Sequence, residues 1–94
     1  MPNRIPVDVL PIQRAVATAS PSAWRDALVV SRAGDALTVA LLDGRVWTLS
    51  TLAAASLGEP VAVHPVAEVV AVGGAWYSAR VLADLADREE AASL

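Results

Sequence analysis

The Asp43-Gly44 step is the strongest local constraint in the chain. It divides two β-favouring runs, Ala36-Leu-Thr-Val-Ala-Leu-Leu42 and Arg45-Val-Trp-Thr-Leu-Ser50. Asp-Gly between apolar runs signals a hairpin, because a two-residue type I′ turn needs positive φ at both central positions and Gly meets that without a Cβ clash. Such a turn pairs Leu41 with Val46 and Val39 with Thr48 on one face. On the other face it sets Ala40 beside Trp47 and Thr38 beside Leu49. Leu37, Val39, Leu41 and Val46 then form the core side, and Trp47 and Leu49 leave an outer side that something must cover. In this register Trp47 is an interface anchor for another subunit, the alternatives being that the chain's own arm or C-terminal helix covers it, or that a bulge flips the register and sends it inward.

The rest of the chain from Trp24 onward also reads as strands. Ala27–Arg32 is followed by a turn at Ala33-Gly-Asp35. Leu52-Ala-Ala-Ala-Ser suggests one or two helical turns, or a loop anchored by Leu52 and Leu57, ended by Gly58-Glu-Pro60. Val61–His64 resumes the alternation, Pro65 interrupts it and Glu68–Val72 continues it. Gly73-Gly74 is a second tight turn, setting Val70 against Tyr77 and Ala71 against Trp76 in a strand running to Leu82. The fold expected is all-β: a small five-stranded antiparallel barrel, OB-like or SH3-like, since closure removes edges that such an apolar sheet cannot expose. A sandwich usually needs about seven strands.

Three regions follow: an extended N-terminal arm over 1–23, the small β-barrel over 24–82, and an acidic C-terminal helix or tail over 83–94. Pro2, Pro6, Pro11 and Pro21 favour extended structure in the arm; the alternative is a short helix with Ile12, Ala15, Val16 and Ala19 on one face. Ile5, Val7, Val9, Leu10 and Ile12 are apolar anchors that must dock on the barrel or on a neighbour. With Trp47, Leu49 and Trp76 they make the candidate interface.

Composition narrows the chemistry. The chain has 94 residues and is 55% hydrophobic, yet twenty residues are Ala and none is Phe, so each Trp and Leu carries much of the burial. Stability of an isolated monomer is expected to be modest or supplemented by partner subunits. With no Cys there is no thiol nucleophile or thiolate metal site. His64 is the single histidine and cannot build a metal cluster by itself, so no cofactor is expected. It reads as structural: Asp43 or Glu68 could partner it, but Ser50, Thr51 and Ser56 lie in no G-x-S-x-G context. Gly73-Gly74 lacks the Lys and helix of a phosphate cradle.

The formal charge is −3, and residues 84–90 account for it, with Asp84, Asp87, Glu89 and Glu90 against Arg88. Arg4, Arg14, Arg25, Arg32, Arg45 and Arg80 are dispersed and there is no Lys. Nucleic acid is therefore not an expected partner. No uninterrupted apolar run is long enough to span a membrane, and the first residues carry no secretion signal.

The succession Val39-Ala-Leu-Leu-Asp-Gly-Arg-Val-Trp47, Gly58-Glu-Pro-Val-Ala-Val63 and Val69-Val-Ala-Val-Gly73 resembles the small OB-like barrel domains of minor tail and baseplate proteins in phages of actinobacteria. The resemblance covers residues 36–73; Pro65 and the Ala75–Leu82 extension depart from it. It implies a non-enzymatic, multicopy structural part of a tail or head-tail assembly, with a virion or cytoplasmic location. The expected function is a structural or adaptor protein that self-associates or joins a larger assembly. The rivals are a binding domain for a small molecule or sugar, using Trp47, Trp76 and Tyr77, and a nucleic-acid-binding OB or SH3-like protein.

Overall fold

The computed structural model describes residues 9–84. Helix α1 (Pro11–Ala19) and a 3₁₀ turn (Pro21–Ala23) precede seven strands: β1 (Arg25–Ala33), β2 (Ala36–Leu41), β3 (Val46–Ser50), β4 (Pro60–His64), β5 (Val69–Val72), β6 (Ala75–Ser78) and β7 (Arg80–Asp84). All pairings are antiparallel, in the order β6-β5-β4-β1-β2-β3-β7. β6 and β7 follow one another through Ala79 along one bent segment and do not pair side by side. The sheet is an open half-barrel, which corrects the expected five-stranded closed barrel, OB-like or SH3-like, and with it the barrel named by the resemblance.

Two sequence features account for the miscount. Pro65 does not interrupt a strand: Pro65–Glu68 is a turn, and His64 pairs with Val69 across it. Glu68 has φ 59° there, the one positive φ of a non-glycine among the described residues. Its carbonyl accepts from Ala79 N–H at 2.8 Å, at the break that divides the last expected strand into β6 and β7.

The Asp43-Gly44 hairpin forms in a different register. Ala40 pairs with Val46, Val39 with Trp47 and Leu37 with Leu49. Gly44 has φ 97° and Asp43 is not positive, while Gly44 N–H donates to Leu41 C=O at 3.0 Å and Leu41 N–H to Arg45 C=O at 2.8 Å. This is a three-residue loop with a left-handed glycine, not a type I′ turn. The extra loop residue shifts the pairing by one and inverts β3, so Leu49 faces inward and is fully buried. Gly73 and Gly74, with φ 57° and 88°, do form a two-residue turn, pairing Val70 with Tyr77 and Ala71 with Trp76 as expected. Replacing Gly44 with Val forces a β-branched side chain into left-handed backbone and is expected to cost on the order of 1–2 kcal/mol in a urea unfolding curve.

The main core lies inside the curl: Val29, Leu37, Val39, Leu49, Val63 and Val70 are its largest fully buried members, with Trp47, Tyr77 and Val81 packed against them. The segment after β3 is neither helical nor anchored by Leu52 and Leu57, which are 80% and 70% exposed. Ala53 is buried instead, and Arg32 holds the segment by donating to the carbonyls of Gly34, Thr51 and Ala53.

Residues 11–19 are helical, not extended. Pro11 sits in the first turn, and Gln13 Oε1 accepts the Leu10 N–H at 2.8 Å. The side facing the sheet is Gln13, Val16, Ala17 and Ser20, whereas Ile12, Ala15 and Ala19 point to solvent. Hydrophobic periodicity missed this side because a glutamine holds it: Gln13 Nε2 donates to the carbonyls of Ala67 and Glu68 and to Ser78 Oγ. The part of the arm from Val9 onward thus docks in cis. Ile5, Val7 and the expected C-terminal helix or tail beyond Asp84 lie outside the described residues.

Candidate functional site

The outer face of the sheet has two unlike halves. On β4, β5 and β6 alternation turns His64, Val69, Trp76 and Ser78 outward, and α1 with Trp24 covers them. Ala17, Ala67 and Val69 are buried there, with Val9, Val16, Trp24 and Trp76 packed around them. Trp24 meets the His64 ring edge-on at 5.0 Å and the Trp76 ring at 5.3 Å, and the Arg14 guanidinium lies 5.3 Å from the Trp76 ring centre.

His64 is fully buried in this layer. Its Nδ1 accepts the Ala67 N–H at 3.1 Å, so Nε2 carries the proton and donates to Ser20 C=O at 2.8 Å. Both ring nitrogens are engaged by backbone, and neither Asp43 nor Glu68 is a hydrogen-bond partner. The ring pins the 3₁₀ turn and the end of α1 to the β4–β5 turn.

The other half is bare. Cross-strand pairing aligns Pro60, Leu28, Ala40 and Val46 as one row across β4, β1, β2 and β3. Leu28 is 43% exposed. Val30, the extra residue of the β1 bulge, is 47% exposed. Leu57 adjoins them, because Gly58 N–H donates to Val29 C=O at 2.7 Å. Among the described residues nothing covers this row.

Several clefts open on the described residues. One, of about 310 Å³, is lined by Asp35, Ser50, Thr51, Glu68, Ser78 and Arg80. Asp35, Glu68 and Arg80 are exposed, so water reaches its charged groups. A second, of about 350 Å³, is lined by Arg25, Asp43, Arg45, Trp47 and Pro65, and a third, of about 190 Å³, shares Arg25 and Asp43 with it and adds Trp24, Asp26, Leu41 and Leu42. Among the described residues no cluster of three or more His, Cys, Asp or Glu is placed to hold a metal, and no helix is long and apolar enough to cross a membrane.

The candidate interface residues are therefore scattered. Leu10 and Ile12 are 60% and 64% exposed, on and beside α1, and Val9 and Trp76 are partly buried beneath it. Leu49 is in the core and Trp47 packs against it. Trp47, Trp76 and Tyr77 share no groove: Trp76 is outside under α1, while Tyr77 and Trp47 pack on the core. The row at Leu28, Val30 and Leu57 went unread. Its sequence signal was apolar residues at the outward positions of β1, legible once Ala27 and Val29 are assigned inward. Comparison with protein-family models, curated proteins and solved structures finds no match to this chain.

Proposed function

We propose that this domain is a non-catalytic docking module that assembles with other copies of itself through the outer face of β1, β2 and β3. The observation behind this reading is the asymmetry of the sheet. α1 covers the outer face of β4–β6, while Leu28, Ala40 and Val46 with Val30 and Leu57 form an apolar surface on the same face of the sheet, over β1–β3, with no cover among the described residues. A contiguous apolar surface of this kind marks a protein contact, where aliphatic side chains lose their water. His64 supports a non-catalytic reading, since both its nitrogens bond backbone and neither is presented to a substrate.

The test is Leu28→Glu, which places a charge in the middle of the row without touching the core. Sedimentation of the wild-type chain at tens of micromolar is expected to show a mass above the monomer's. The variant is expected to sediment as a monomer with its melting temperature within a few degrees of wild type, as a solvent-facing change usually moves stability by about 0.5 kcal/mol or less. A monomeric wild type, or a variant that assembles unchanged, removes self-association through this face.

A further inference from the structure

The cleft lined by Asp35, Glu68 and Arg80 shares no residue with the apolar row and gathers charges of both signs. We propose that it binds the zwitterion of a free α-amino acid, with the ligand's carboxylate on Arg80 and its ammonium on Asp35 and Glu68. Three elements bring these groups to one space of about 310 Å³: Asp35 comes from the β1–β2 turn, Glu68 from the β4–β5 turn and Arg80 from the start of β7. Each stands on backbone that hydrogen bonds hold in place. Asp35 C=O accepts the Thr51 N–H at 2.9 Å, and Glu68 C=O accepts from Ala79 N–H at 2.8 Å and from Gln13 Nε2 at 2.9 Å. Arg80 pairs with Ser50 in the β3–β7 ladder. Charged groups on such a frame meet a ligand without first ordering the chain.

The charges line the cleft without pairing with one another. Among the described residues no ion pair or hydrogen bond engages the Arg80 guanidinium or the carboxylates of Asp35 and Glu68. A ligand that carries both signs on one small frame answers them together. The planar fork of Arg80 takes a carboxylate in two parallel hydrogen bonds, and an ammonium has three donors for two carboxylates. Arg32 adjoins the site, donating to the carbonyls of Gly34, Thr51 and Ala53. Two cations and two carboxylates thus stand around the cleft, and an occupant of no net charge fits that balance. Glu68 adds an independent sign. Its φ of 59° is left-handed backbone that glycine takes without strain, yet the position carries a glutamate. Strain of this kind gathers at ligand sites, and here it accompanies a carboxylate in the cleft.

The experiment adds L-alanine to the isotopically labelled full chain and follows amide shifts by nuclear magnetic resonance. Two further probes each lack one charge: N-acetyl-L-alanine has no ammonium and L-alaninamide no carboxylate. Saturable shifts centred on Asp35, Glu68 and Arg80 are expected with L-alanine, at a dissociation constant of about a millimolar because water reaches these groups. Each single-charge probe is expected to bind roughly tenfold more weakly. Glu68→Gly suits the left-handed backbone, so its melting temperature is expected to stay within a few degrees of wild type while L-alanine binding weakens roughly tenfold. Four results overturn the proposal: no saturation up to about 50 mM L-alanine, shifts centred away from the three charged residues, a single-charge probe bound as tightly as L-alanine, or a Glu68→Gly variant that binds it unchanged. Failure of the Leu28→Glu test leaves this site untouched, since neither the row nor its mass readout enters here.

Discussion

Leu49→Ala is expected to destabilise the domain by about 3 kcal/mol, against less than about 0.5 kcal/mol for Leu42→Ala. Leu49 is fully buried opposite Leu37, whereas Leu42 is 73% exposed on the loop of the same hairpin. Apart from Leu37 and Leu41 the buried core around it is Val and Ala, whose side chains are too short to close over the lost isobutyl group, so the cavity persists. In a domain of this size that loss lowers the melting temperature by roughly 12–24 °C. Thermal melts of the two variants side by side decide the matter. If Leu49→Ala costs no more than Leu42→Ala, Leu49 faces outward and the register found here is wrong.

His64→Leu is expected to cost about 2–4 kcal/mol although leucine fills most of the space. The substitution leaves the Ser20 carbonyl and the Ala67 N–H without their partner, and a buried polar group left unpaired costs about 1–3 kcal/mol. It also removes the edge contact with Trp24. The loss is local, so hydrogen exchange is the informative measurement. Amides of α1 and of the Pro65–Glu68 turn are expected to exchange faster in the variant, while β2 and β3, on the far side of the sheet, keep their protection. Uniform loss of protection across all strands would show that His64 supports the whole core and does not pin α1.

The contrast between the two glycine hairpins shows where local sequence suffices. At Gly73-Gly74 both residues take positive φ, so the two-residue turn is decided by the turn itself, and the pairing of Val70 with Tyr77 follows. Asp43-Gly44 fits two loops equally well, one with Asp43 left-handed and one with only Gly44 so. What selects the longer loop is distant: Leu42 N–H donates to Asp26 C=O on β1, and Leu49 meets Leu37 in the core. The same holds for α1. Its buried side is set by Gln13 bonding to carbonyls at residues 67 and 68, contacts that periodicity cannot contain. The five-strand count failed for a related reason, because Pro65 looks alike in a broken strand and in a tight turn.

The candidate sites were legible only in part. The sequence places Trp47 on the outer face as an interface anchor, whereas one loop residue inverts β3 and packs it against the core. The arginines looked dispersed because their meeting in space depends on β1 and the β2–β3 loop lying side by side; Arg25 and Arg45 line one cleft although nineteen positions separate them in sequence. Of the apolar row only the β1 part, Leu28 and Val30, carries a signal in sequence; Leu28, Ala40 and Val46 come from three strands and align only through the pairing.

The bent segment that carries β6 and β7 has a consequence for how the molecule is made. Its first half completes the β5 margin of the sheet and its second half completes the β3 margin. During synthesis the β1–β2–β3 meander can form as soon as it emerges, yet β3 has no outer neighbour until residues 80–84 follow it. For that interval one strand edge is open to any other nascent chain, and pairing between copies competes with closure within one. Non-local pairings of this sort are slow to form. The rate at which Arg80–Asp84 reaches Ser50 and its neighbours therefore sets the time window in which strand exchange between copies can occur.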